Sequence, residues 1–205
     1  MVSSAGPRAV ARDFLIACAG AVLASAVSAH ASGVMATGGL TSQPIGHYEF
    51  CKANPGECSI RPRDLGPATI TDALWQELTG VNRDENRANS PMTDIDHNGK
   101  DEVWAYPDGY GDCEDYVLEK RRQLNRLGMS LADLLITVVR KPDGEGHAVL
   151  TVRTDKGDFI LDNLNDAVKP WDETGYRFLK RQAADNTGRW VSIREGQTTL
   201  VGAVH

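Results

Sequence analysis

Apolar and polar positions recur with different periods along the 205 residues, and each period predicts an element. Residues 14–27 are almost wholly apolar. Arg8 and Arg12 precede them and Ala29-His30-Ala31 follows, the order of a secretory leader with its small-x-small cleavage site. A bilayer core of about 30 Å takes about 20 apolar residues, more than this run supplies. Residues 1–31 therefore read as a signal peptide, with the mature chain starting near His30 or Ser32 and exported to a bacterial periplasm or beyond. Residues 32–66 are rich in Gly, Pro and Ser and show no period, which predicts an irregular surface arm ahead of a single domain over residues 67–205.

Within that domain, residues 69–78 predict a short helix, with Thr71 as N-cap and Leu74, Trp75 and Leu78 on one face. Residues 82–90 are polar and read as a loop. Residues 114–127 predict a second helix, acidic in its first turn, basic later and stopped by Gly128. The nearly continuous apolar run at 134–140 suits a buried strand. After a Pro-Asp-Gly turn at 141–146, residues 147–154 alternate, and 159–161 follow the turn at Asp155-Lys156-Gly157. A helix followed by antiparallel strands is an α+β layout, the helix packed on a sheet.

Charge removes one class of partner. The formal net charge is -6, from 22 Lys and Arg against 28 Asp and Glu. The longest basic run is Lys120-Arg121-Arg122, so no nucleic-acid footprint exists. The four cysteines change the picture more. Cys18 leaves with the leader. Cys51 and Cys58 flank a Pro55-Gly56 turn and are expected to pair in an oxidising compartment, a closure worth about 2–3 kcal/mol. A metal pair is the competing reading, weakened because only His47 stands nearby as a further ligand. Cys113 is left as an odd thiol, which outside the cytoplasm must be either buried or used.

Cys113 would sit at the start of the second helix, whose dipole favours a thiolate, with Gly111 letting the backbone approach closely. His147 opens a strand 34 residues on and Asp162 follows 15 residues later. A nucleophile, an acid–base and an orienting carboxylate make a thiol-protease or transglutaminase triad, with the Cys113 N–H as an oxyanion donor. Strand register leaves Asn163, Asn165 and Asp166 as equal alternatives to Asp162, because counting from the turn puts Asp162 two to four positions from His147.

Two acidic features bear on metal. Asp94, Asp96, Asn98 and Gly99 imitate the opening of a calcium loop, but the twelfth place is Ala105 where a Glu is required, so an Asx-and-Gly turn is the better reading. Asp112, Glu114 and Asp115 crowd three carboxylates around Cys113 and would oppose its ionisation. A bound Ca²⁺ would remove that conflict. In the alternative, these side chains cap the helix and meet Arg121 or Arg122.

The segments Phe50-Cys51, Pro55-Gly56-Glu57-Cys58, Asp101 to Trp104, Gly111-Asp112-Cys113-Glu114-Asp115-Tyr116, Gly146-His147-Ala148 and Leu161-Asp162-Asn163 together resemble the bacterial transglutaminase-like cysteine peptidases, the LapG-like periplasmic proteases, over most of residues 44–193. The resemblance implies a papain-like, transglutaminase-core fold and makes Asp162 the third triad member. It also implies calcium dependence through Asp112 and Glu114, a protein substrate in the cell envelope and control by a membrane-bound regulator. A monomer is expected. The reaction read from these residues is hydrolysis of a peptide bond through a Cys113 thioester. Acyl transfer to an amine and a catalytically silent, calcium-responsive surface binding protein are the alternatives.

Overall fold

A computed structural model describes residues 1, 2 and 33–194, and those from 33 onward form one compact unit. The predicted signal peptide lies outside the described residues. No described helix is long and apolar enough to cross a membrane.

The elements run β1 (Thr37–Thr41), α1 (Ile45–Ala53), α2 (Pro55–Cys58), α3 (Asp72–Ala88), β2 (Ser90–Pro91), α4 (Asp94–Asn98), β3 (Tyr110–Gly111) and α5 (Cys113–Arg126), then β4 (Leu134–Arg140), β5 (Gly146–Thr154), β6 (Gly157–Asp162), β7 (Asn165–Pro170), β8 (Arg177–Ala183) and β9 (Asn186–Ile193). Seven strands make one antiparallel sheet in the order β1-β9-β8-β4-β5-β6-β7. The short strands β2 and β3 pair in parallel beside α5. Helices α3 and α5 lie on one face of the sheet, where Leu78, Leu118, Leu124, Leu134, Ile136 and Leu150 are almost fully buried. A smaller cluster of Met35, Val139, Val149, Ile160 and Phe178 forms the second core. This is the α+β arrangement the periodicities predict.

Four readings need correction. Of the arm expected over residues 32–66, the stretch 37–58 is largely regular, while 59–66 carry no helix or strand. The regular stretch supplies the edge strand β1, paired with β9, and helix α1, whose His47 and Phe50 are buried. A tertiary contact compensates for the weak local signal. His47 stacks edge-on against Trp104 and Trp190, with ring centroids 5.2 and 5.3 Å away, and a side chain at Gly46 would collide with the Trp104 ring. The metal reading of this segment also falls, since Cys51 and Cys58 form a disulfide with a Cα separation of 5.5 Å.

The helix beginning at Thr71, whose side chain accepts the Leu74 N–H, does not stop at 78 but continues as α3 to Ala88. The polar residues read as a loop find buried partners. Asn82 donates to the carbonyls of Asn165 and Asp166 and accepts from Lys120 Nζ, so polarity here marks a buried network. Residues 94–98 form one helical turn capped by Thr93 and closed by Gly99 at φ 70°, and Asp96 accepts from the Thr93 hydroxyl, so no calcium-loop geometry exists there.

Candidate active site

Helix α5 starts at Cys113 because Asp112 leaves the helical region and a side-chain clasp holds the turn. Asp115, in the first turn, accepts the Asp112 N–H at 3.4 Å and the Ala105 N–H at 2.8 Å. Gly111 is required by this clasp, since a Cβ there would stand 2.9 Å from the Asp115 side chain. The close approach expected at Gly111 is thus made by Asp115. The end of the helix agrees with the sequence reading, with Gly128 at φ 106°.

His147 stands one residue into β5. Ala148, Leu150 and Val152 join the core under the helices, while Val149 points to the other cluster, the alternation of a strand with both faces used. The ladder pairs Leu150 with Leu161, so His147 would face residue 164 and Asp162 lies two positions short of it, a diagonal pair. The diagonal is bridged. His147 Nε2 is 2.8 Å from Asp162 Oδ1 and both side chains are buried. Asn163, Asn165 and Asp166 do other work: Asn165 and Asp166 bind α3, and Asn163 lines a groove.

Asp162 carries more partners than the sequence suggested. Tyr176 donates its hydroxyl to Oδ2 at 2.6 Å and sets its ring edge-on to His147; the Leu164 N–H donates to Oδ1, and Asn86 Nδ2 reaches the Asp162 carbonyl. Burial pushes the Asp162 carboxyl up, but the His147 hydrogen bond and charge and the Tyr176 hydroxyl outweigh it, and the net shift is downward. Sequence reasoning missed Asn86 and Tyr176. Asn82, Glu85, Asn86 and Asn89 recur at helical spacing, a signal that could have found the first. Tyr176 follows a turn at Gly175 and carries no such mark.

Cys113 is a free, half-buried thiol. Its Sγ accepts the Ala148 N–H at 3.4 Å and donates to Glu114 Oε2 at 3.0 Å. Cys113 and His147 line two grooves that meet between them. One, of about 450 Å³, runs past Ile45, Trp104, Val138 and Lys180; the other, of about 610 Å³, past Met92, Asn163 and Leu164. Cys113 and His147 therefore meet at one cleft, and His147 and Asp162 in one bonded pair.

The predicted electrostatic conflict is present, with burial as its largest cause. Burial first, then the Glu114 charge and hydrogen bond, push the Cys113 thiol well up. Burial and the Asp112 charge raise Glu114 to about 8; burial raises Asp112 to about 6 and Asp115 to about 7. Arg121 and Arg122 do not relieve it. Arg121 Nε donates to the Leu134 carbonyl and Arg122 pairs with Glu119, so the alternative in which they meet the helix cap is not realised. Donor atoms of Asp112, Cys113 and Glu114 lie within 4.8 Å of one another, as do those of Asp94, Asp112 and Asp115. Asp112 Oδ1 is buried with no hydrogen-bond partner. An orphaned carboxylate oxygen among hard oxygen donors fits a divalent cation.

The family model described as bacterial transglutaminase-like cysteine proteinase BTLCP matches residues 37–198. Among solved structures, Legionella pneumophila LapG is similar at 26% identity and TM-score 0.50, over 58% of this chain and 67% of that one. A calcium-bound structure of Legionella pneumophila LapG has 24% identity and TM-score 0.51, over 62% of this chain and 75% of that one. A comparison with curated protein sequences returns no match.

Proposed function

The chain belongs to the bacterial transglutaminase-like cysteine proteinases, and on the premise that it is a cysteine peptidase we propose that Cys113, His147 and Asp162 hydrolyse a peptide bond in an exported or cell-envelope protein. The observation that carries this reading is the buried His147–Asp162 pair, 2.8 Å apart, opening onto the cleft that holds the free thiol. Because Nε2 is committed to Asp162, Nδ1 is the nitrogen left to exchange protons with the cysteine and the leaving amine.

His147 takes the Cys113 proton, Sγ forms a bond to the scissile carbonyl carbon, and the tetrahedral oxyanion is met by the Cys113 backbone N–H. Collapse breaks the C–N bond as the imidazolium returns the proton to the amine. His147 then deprotonates a water, which attacks the thioester carbon; the C–S bond breaks, the imidazolium returns its proton to sulfur, and the acid released gives its own proton to solvent. Asp162 holds the imidazole and stabilises its charged form, and Tyr176 holds Asp162.

The same reading includes calcium on Asp112 and Glu114, whose donor atoms lie within 4.8 Å of each other. Bound there, the ion would supply positive charge beside the thiol. A Glu114 carboxylate engaged by a cation would compete less for the Cys113 proton, leaving it to His147. Export through the 1–31 leader is supported by the Cys51–Cys58 disulfide, which persists in oxidising compartments.

Cys113→Ala is expected to abolish hydrolysis of envelope proteins compared by proteomics with wild type, while the thermal midpoint stays within about 2 °C. Retained cleavage in the variant would sink the assignment. A primary amine added to the reaction separates hydrolysis from acyl transfer, which would incorporate it.

A further inference from the structure

A second cavity, of about 490 Å³, shares no lining residue with the two grooves at Cys113. Its rim is the disulfide-closed turn, Asn54, Gly56 and Glu57, followed by Ile60; its floor is the second half of α5. Three arginines of that helix, Arg121, Arg122 and Arg126, line it together. Their donors are under-used. Arg121 is 5% exposed, and although its Nε donates to the Leu134 carbonyl, its Nη2 is buried with no partner. Arg122 pairs with Glu119 and lies over the Tyr106 ring, 3.7 Å from its centroid, yet its Nε is also buried and unpartnered. Arg126 is exposed. The acids present are Glu57 in the lining and Glu119 beside it, against three guanidinium groups.

A buried guanidinium donor without an acceptor is costly and rare, so its persistence in a walled cavity points to an acceptor from outside. Guanidinium forks match planar oxyanions, and Tyr106, Ile60 and Leu131 give the cavity an apolar wall that a bare inorganic anion would not use. The whole chain carries a formal charge of -6, so an acidic partner is attracted here by the local cluster alone.

We propose that this cavity is an exosite for a peptide carboxylate, an Asp or Glu side chain of a protein partner flanked by an apolar residue, held by Arg121, Arg122 and Arg126. The site stands independently of the chemistry at Cys113. Because three rim residues lie inside the disulfide loop, the bond also shapes the site, and Cys51→Ser with Cys58→Ser is expected to weaken it.

Calorimetric titration of the full chain with an acetylated, amidated Glu-Leu-Glu-Leu peptide tests the proposal, with the Gln-Leu-Gln-Leu peptide and inorganic phosphate as comparisons. The Glu peptide is expected to bind at least about tenfold more tightly than either and to weaken with salt. Arg126→Glu, an exposed change that spares the core, is expected to weaken binding at least about tenfold, and Glu57→Gln, which removes the resident acid, to strengthen it several-fold. Equal affinity for the Glu and Gln peptides, an unaffected Arg126→Glu variant or phosphate binding as tightly as the peptide would each overturn it. None of these readouts depends on peptide hydrolysis, so the result stands whether or not Cys113→Ala retains cleavage.

Discussion

Replacing Glu114 by Gln removes the negative charge nearest the nucleophile while keeping a side chain that can still accept the thiol hydrogen. The Cys113 Sγ lies 3.0 Å from Glu114 Oε2. For a thiolate beside a carboxylate at that distance, Coulomb's law with an effective dielectric of 20 gives about 5 kcal/mol of repulsion. Cys113 is half-buried and lines two open grooves, so solvent screening reduces this to about 1–2 kcal/mol. Every 1.36 kcal/mol is one pKa unit, so the variant's thiol should titrate about one unit lower. The effect is largest above pH 8, since burial and Asp112 push the Glu114 carboxyl itself up to about 8 and it carries its full charge only beyond that. Iodoacetamide alkylation of Cys113, followed by peptide mass mapping in chelator from pH 6.5 to 10, reads this out without a known substrate. At pH 9 the variant should react about tenfold faster than wild type. Added calcium should accelerate wild type and leave the variant unchanged, because the variant lacks a proposed ligand. An equal or slower rate for Glu114→Gln in chelator would refute the electrostatic account, and a calcium response retained by the variant would remove Glu114 from the ion's ligands.

Tyr176→Phe deletes the 2.6 Å bond to Asp162 Oδ2, a charge-assisted contact worth about 1.5–3 kcal/mol. Calorimetry should show the thermal midpoint fall by several degrees and a peptidase assay a rate loss of about tenfold or more; no change in either removes Tyr176 from the site. His47 sets an acid limit on stability. Burial, and then the Arg121 charge, lower it from 6.5 to about 3, so the folded protein leaves the ring neutral where the unfolded chain protonates it. Its contribution is therefore complete above pH 6.5 and lost as the pH falls toward 3, about 2–3 kcal/mol of it by pH 4.5. Urea unfolding of wild type and His47→Gln at pH 7 and pH 4.5 checks this, and an identical pH slope in both proteins would count against it.

How far the site is legible in the sequence depends on whether each residue's role is local or tertiary. Helix α5 and strands β4 to β6 follow from period and turn chemistry, and with them the placement of Cys113 and His147 at element starts. Asp162 does not follow, because its contact with His147 is diagonal across the ladder and register alone allows three other residues. The second half of α3 was hidden for the opposite reason. Its polar residues satisfy one another and the β7 backbone inside the fold, and polarity in a sequence reads as solvent exposure. Strand β7 buries only Val168 and gave no alternation to detect. Helix α1 sets its His47 ring against Trp104 and Trp190, and both stand far away in sequence.

The two grooves that meet at Cys113 and His147 also say something about timing. On the proposed chemistry, a peptide bond presented to the thiol lies where the two channels join, with Ile45 and Trp104 along one and Leu164 along the other. A helix wraps its hydrogen-bonded backbone in a cylinder about 10–12 Å across with its side chains, so its carbonyl carbons are shielded from an attacking thiol. Loops and interdomain tethers already in extended form would be cut first, and compact regions of the same target only after they open, so the order of fragments in a digest would map the local unfolding of whatever protein is being cut.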